Sequence, residues 1–129
     1  MIQGGIPEKK RFSIVARAKS FTHAFRGIGI LVRTQHNFWI QLILACLVIR
    51  LGVYFHIEAT EWIFLVFSIG LVMIAEAFNT AFEIDIDLTS PTYHPYARDT
   101  KDVAAGAVLL TTIMAIIVGL IIFIPKINW

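Results

Sequence analysis

The sequence has a single cysteine, Cys46, set in an apolar stretch. An intrachain disulfide and a Cys-rich metal site are therefore excluded. Charge is scarce as well. Asp, Glu, Lys and Arg make up 16% of the 129 residues, against about 25% in ordinary soluble domains. The formal net charge of +2 is too small to mark a nucleic-acid partner. The first 37 residues contain no long apolar run, so they do not read as a secretory signal peptide, whose apolar h-region is missing. There is no Walker A, HRD or DFG motif, and Gly27-Ile28-Gly29 is not a phosphate loop. Internal repeats, low-complexity tracts and domain linkers are also missing, so residues 1–129 read as a single domain.

Apolar side chains are what the chain has in excess. They reach 57% of the residues, where about 45–50% is usual. A chain this short cannot bury so much apolar surface in its own core. It needs a bilayer, which argues against a soluble kinase or a Rossmann enzyme. Three stretches fit membrane spans. Phe38 to Phe55 has 18 residues, with only Gln41 and Arg50 strongly polar, and Arg50 lies near one end, where it can snorkel. Trp62 to Ala75 carries no charge, and its helical pattern continues to about Leu88. Val103 to Ile124 gives 22 uncharged residues, about 33 Å of helix and enough to cross. Pro125 is expected to end that span. The segment from Thr89 to Pro95 reads as a loop with two prolines marking its turns.

The bases are gathered at the N-terminal end. Lys9, Lys10, Arg11, Arg17, Lys19, Arg26 and Arg33 stand there against one acid, Glu8. From Phe12 the apolar residues Ile14, Val15, Ala18, Phe21, Phe25, Ile28 and Leu31 recur at roughly helical spacing. This is the pattern of an amphipathic helix on an anionic membrane surface. The expected fold is an all-α membrane protein: a surface helix over 8–34 and membrane helices over 38–55, 60–88 and 102–124. The positive-inside rule puts the N-terminus and the loop before Lys101 in the cytoplasm.

The acids have a different distribution. Six of the nine lie between Glu76 and Asp102. Charge in or beside a membrane helix is costly and calls for a function. Glu76, Asn79, Glu83 and Asp87 are spaced i, i+3, i+7, i+11, which places them on one helix face. Lys101 and Asp102 stand at the start of the third span, at a similar depth. Carboxylates and an amide suit Mg²⁺, which takes one or two carboxylates plus substrate phosphates. A carboxylate near the interface can also serve as a general base. The four histidines show no metal-ligand spacing, and Asp85 reads as a solvated charge. These residues define an acidic site at the membrane surface, equally suited to an enzyme or to a cation or proton path.

The string EAFNTAFE (Glu76 to Glu83), then Asp87 and KDVAAGAVLL (Lys101 to Leu110), resembles the prokaryotic diacylglycerol kinase family, which includes the undecaprenol kinases. The stretch SFTHAFRGIGILVRTQHNFWIQL (Ser20 to Leu42) is similar to that family's surface helix and first span. The likeness covers roughly Ser20 to Phe123. It implies a multi-pass lipid kinase of the bacterial inner membrane with its active site in the cytoplasm. The γ-phosphoryl group of Mg·ATP passes to a lipid hydroxyl, and homotrimers share their active sites between subunits.

By position, the resemblance makes Glu76 the general base, with Asn79 beside it, and Glu83 a Mg²⁺ ligand. Lys101 and Asp102 match the pair that contacts the nucleotide, and Arg11 matches a basic residue that approaches the phosphates. Gln35 stands where the family places a second metal-binding glutamate; it offers a carbonyl oxygen but no charge. Diacylglycerol, giving phosphatidic acid, is the leading acceptor and undecaprenol the alternative. A small transporter using Glu76 as its membrane carboxylate is the remoter reading. A non-catalytic assembly protein is a further one, with no need for Mg²⁺.

Overall fold

The structure, a computed structural model, describes residues 12–127. Arg11 and the start of the expected 8–34 helix, residues 8–11, lie outside them. Four helices follow one another: α1 (Ile14–Thr34), α2 (His36–Tyr54), α3 (Ala59–Thr89) and α4 (Pro95–Ile127). No strand occurs among the described residues. Three of the helices, α2, α3 and α4, are long and apolar enough to cross a membrane. Large apolar side chains such as Ile63, Val66, Phe67, Ile116 and Ile121 point outward along their lengths. In water that surface would aggregate; in a bilayer it meets lipid.

Residue Ser13 starts α1. Its hydroxyl accepts a hydrogen bond from the Ala16 backbone N–H at 3.3 Å, satisfying a donor that the first turn leaves free. Nearly all of α1 is exposed, Leu31 being its buried residue. Gln35 alone separates α1 from α2. Its backbone is extended (φ −108°, ψ 109°) and breaks the helical run in one step. Across this corner the Trp39 Nε1–H donates to the Val32 carbonyl at 2.8 Å.

The turn from α2 to α3 is held by backbone chemistry. The Ile57 N–H donates to the Gly52 carbonyl at 3.1 Å and the His56 N–H to the Val53 carbonyl at 3.2 Å. His56 has φ +48°. This is the Schellman closure of a helix, with histidine where glycine is the usual left-handed residue. Gly52 is needed for a different reason. A Cβ there would meet Trp62 Cη2 at 2.8 Å and Ile57 Cδ1 at 3.0 Å. Glu58 and Glu61 then form a reciprocal capping box at the start of α3.

Helices α3 and α4 run antiparallel, with an ion pair at each end. Lys126 Nζ lies 3.1 Å from Glu61 Oε2 at one end, and Lys101 pairs with Asp87 at the other. The buried core of Ile57, Leu65, Ile122 and Phe123 gathers at the Glu61 end. The acidic end is more open.

Two expectations about prolines need correction. Pro95 does not mark a loop turn but opens α4, where its missing N–H costs nothing and its fixed φ suits a helix. Lys101 and Asp102 therefore lie inside α4, beyond its first turn, rather than at its start. Pro125 does not end the last span; α4 continues through it to Ile127. In the last turn proline forfeits one backbone bond, and Lys126, placed just after it, is held against Glu61. Gly106 has open space within 4 Å of where a Cβ would stand, so it brings no neighbouring helix of this chain close.

Candidate active site

One stripe of α3 changes character along its length. Leu65 and Val72 are buried and apolar; Glu76, Asn79 and Thr80 follow on the same face and are buried and polar. The periodicity that makes the helix pack thus carries polar groups into the α2–α3 seam. Glu76 is fully buried, with 0% exposure. The Thr80 hydroxyl donates to the Glu76 carbonyl at 2.9 Å, an internal helix contact that leaves the carboxylate free. Thr111 and Thr112 on α4 likewise return their hydroxyls to the Val108 carbonyl, at 2.9 and 2.8 Å.

From α2 the Gln41 Nε2–H donates to Glu76 Oε2 at 3.0 Å. Further toward the acidic end the Gln35 Nε2–H donates to Glu83 Oε2 at 3.3 Å. The Asn79 Nδ2–H reaches the other oxygen, Glu83 Oε1, at 3.1 Å. Pairs 41–76 and 35–83 fix the antiparallel register of α2 on α3. Three buried oxygens in this seam have no hydrogen-bond partner: Gln41 Oε1, Glu76 Oε1 and Asn79 Oδ1. Buried acceptors are nearly always satisfied, so three unpaired ones in one place call for a function.

The expected residues thus fall into three groups. Gln35, Asn79 and Glu83 meet. Glu76 lies apart from them, on Gln41. Lys101 is turned to Asp87, and Asp102 is exposed and joins none of these contacts. The residue that sequence reasoning passed over is Gln41, noted there only as a polar member of a span. From Phe38 to Ile49 it is the sole amide or charged side chain, and that isolation was the available signal. Beside it an apolar groove of about 390 Å³ opens between α2, α3 and α4, with Gln41, Val72 and Thr112 among its lining and Ile127 at its far end.

Among the described residues no three His, Cys, Asp or Glu side chains converge to hold a metal. Glu83 nevertheless suits a cation. It is partly buried, and its contacts are two neutral amides. A carboxylate without a counter-charge in such a place is costly. One carboxylate with neighbouring amide oxygens is a donor set that Mg²⁺ uses when water and phosphate complete its shell.

A fully buried carboxylate and a second acid site thus lie among three helices long and apolar enough to cross a membrane. Comparison with known proteins makes the class specific. Residues 22–123 match the profile of prokaryotic diacylglycerol kinase. The chain is 41% identical over 108 residues to the undecaprenol kinase of Bacillus subtilis, covering 84% of this chain and 88% of that protein. It is 42% identical over 107 residues to a diacylglycerol kinase of Synechocystis, covering 82% of this chain but 61% of that longer protein. The Escherichia coli diacylglycerol kinase is 26% identical over 99 residues, covering 77% of this chain and 81% of that protein. The chain belongs to the prokaryotic diacylglycerol kinase family. It is a membrane lipid kinase that uses a nucleotide phosphoryl donor.

Proposed function

We propose that the protein transfers the γ-phosphoryl group of Mg·ATP to the hydroxyl of diacylglycerol, giving phosphatidic acid. The observation that carries this is Glu76, fully buried with Oε1 unpaired. The acceptor hydroxyl donates to Glu76 Oε1, which takes its proton as the oxygen attacks. The new bond joins that oxygen to the γ-phosphorus, the bond to the β–γ bridging oxygen breaks, and ADP leaves. Positioning and charge stabilisation provide most of the acceleration in such transfers.

Glu83 and Gln35 would hold the Mg²⁺, which neutralises charge on the nucleotide phosphates. Lys101 would leave Asp87 for the phosphates, with Asp102 and, outside the described residues, Arg11 as the further nucleotide-binding side chains. Asn79 holds Glu83 and keeps Oδ1 free for substrate or water. The acidic end faces the cytoplasm of a bacterial inner membrane, since α1 carries Arg17, Lys19, Arg26 and Arg33 on that side. A homotrimer with shared sites is supported by the separation within one chain of the Lys101–Asp102 pair from Glu76.

Undecaprenol is a second acceptor reading. It is favoured by the fuller match to the Bacillus subtilis undecaprenol kinase, 88% of whose length is covered. The groove beside Gln41 suits either lipid body. A transporter is disfavoured by the family match and by the placement of Lys101 beside an acidic cluster. The test is a side-by-side assay of purified protein in mixed micelles with ATP, Mg²⁺ and either diacylglycerol or undecaprenol. Phosphatidic acid is expected as the faster product. Faster undecaprenyl phosphate would transfer the assignment to the second acceptor, and no phospholipid from either would overturn the kinase.

A further inference from the structure

We infer that Gln41 is the positioning residue of the base: its amide N–H fixes one oxygen of Glu76 and turns the other, Oε1, to the acceptor hydroxyl arriving from the apolar groove. The inference rests on the reading of Glu76 as the general base.

Three observations carry it. The Gln41 Nε2–H is the one side-chain donor to the Glu76 carboxylate among the described residues, at 3.0 Å. Glu76 Oε1 and Gln41 Oε1 are both buried without partners. Gln41 also lines the groove that runs between α2, α3 and α4 to Ile127, while Glu76 does not line it. Gln41 therefore touches both the groove and the carboxylate, and it is the residue through which a lipid lying in the groove is linked to Glu76.

The energetics argue against simple helix-to-helix adhesion. An amide in a span that makes one hydrogen bond and leaves its carbonyl oxygen unpaired gains little net stability. A leucine would pack the same place with no unpaired atom of its own, though Glu76 Oε2 would then lose its donor. A neutral donor has a catalytic advantage instead. It orients the carboxylate without placing a cation beside it, and a cation would weaken the carboxylate's hold on a proton. Among the described residues of the three packed helices no other charge lies close in sequence to this arrangement. Helix α2 has no ionised group between His36 and Arg50, its Cys46 thiol is exposed, and α4 has none between Asp102 and Lys126. On α3 itself the nearest is Glu83, held by Gln35 and Asn79.

The test compares Gln41→Leu and Gln41→Glu with the parent and with Glu76→Gln, as purified full-length protein in mixed micelles. Gln41→Leu should lower kcat about tenfold or more, as misplacement of a reacting group does, with the KM for ATP unchanged. Gln41→Glu, which keeps the shape, sets a second carboxyl against the first, so the acid limb of the kcat–pH profile should move to higher pH. A kcat within a factor of about two of the parent in Gln41→Leu, or an unmoved limb in Gln41→Glu, overturns the inference. If Gln41→Leu does not fold, the limb in Gln41→Glu decides alone. Glu76→Gln separates the two levels. Loss of turnover there with an unmoved limb in Gln41→Glu removes Gln41 only. Retained turnover there removes the base and the inference together.

Discussion

Gln35 and Glu83 lie 48 positions apart in the chain and meet at 3.3 Å, joining the one-residue corner between α1 and α2 to α3. The corner thus joins α1 to the first of the long apolar helices and also delivers an amide to the acid site. If Gln35 and Glu83 hold the metal, a second carboxylate at the corner strengthens it. Gln35→Glu should lower the Mg²⁺ concentration giving half-maximal activity by roughly tenfold, the worth of about 1.4 kcal/mol. Without Mg²⁺ the same variant should melt earlier, because two carboxylates then face each other. A Mg²⁺ titration of activity and of melting temperature checks both.

The Lys101–Asp87 pair separates stability from function. Its side chains are 37% and 69% exposed, and exposed ion pairs contribute about 0.2–1 kcal/mol at most. Lys101→Met should therefore leave the melting temperature nearly unchanged. If Lys101 serves the phosphates, the variant should lose about 10²-fold or more of kcat/KM for ATP, as loss of a charge-stabilising donor does. Asp87→Asn should cost much less. Steady-state kinetics and thermal melts of the two variants decide it.

Much of the architecture could be read in advance because lipid imposes a simple rule: a span must be a helix and nearly free of charge. The runs around Phe38 to Phe55, Trp62 to Ala75 and Val103 to Ile124 obey it visibly, and the spacing of Glu76, Asn79 and Glu83 placed them on one face. The prolines depart from expectation because residue type does not distinguish a turn from the first position of a helix, and Pro125 falls where a single lost bond is tolerable. The corner at Gln35 lies in the polar run Arg33 to Asn37, between the expected helices; that a single residue makes it is a matter of backbone geometry that no residue pattern signals. Gln41 carries no charge, and its importance is a matter of register. It faces Glu76 only because α2 and α3 are antiparallel with 41 opposite 76, and one chain's local pattern does not encode that pairing.

The turn at the far end offers a stability test remote from the chemistry. His56 holds φ +48° as the left-handed residue of the Schellman closure. That conformation costs an ordinary L-residue about 1–2 kcal/mol, while glycine loses about 0.5–1 kcal/mol to its extra freedom when unfolded. His56→Gly should therefore stabilise the protein by about 0.5–1 kcal/mol, seen as a higher melting temperature in detergent with activity unchanged.

Gly52→Ala should act in the opposite direction. The new methyl would stand 2.8 Å from the Trp62 ring and 3.0 Å from Ile57 Cδ1, so both side chains must shift to admit it. Overpacking of this kind costs about 1–3 kcal/mol. A melting temperature equal to the parent's would show that Trp62 can move aside.

The central claim is that Glu76 removes the proton from a lipid hydroxyl. It is tested most directly by the rate of transfer of labelled γ-phosphate from ATP to the lipid acceptor in the Glu76→Gln variant, with helix content and melting temperature measured on the same sample. The amide keeps the shape and the hydrogen-bonding reach but cannot take the proton, so the folded variant should be slower by about 10²-fold or more. Transfer at close to the parental rate by a folded Glu76→Gln protein would contradict the claim.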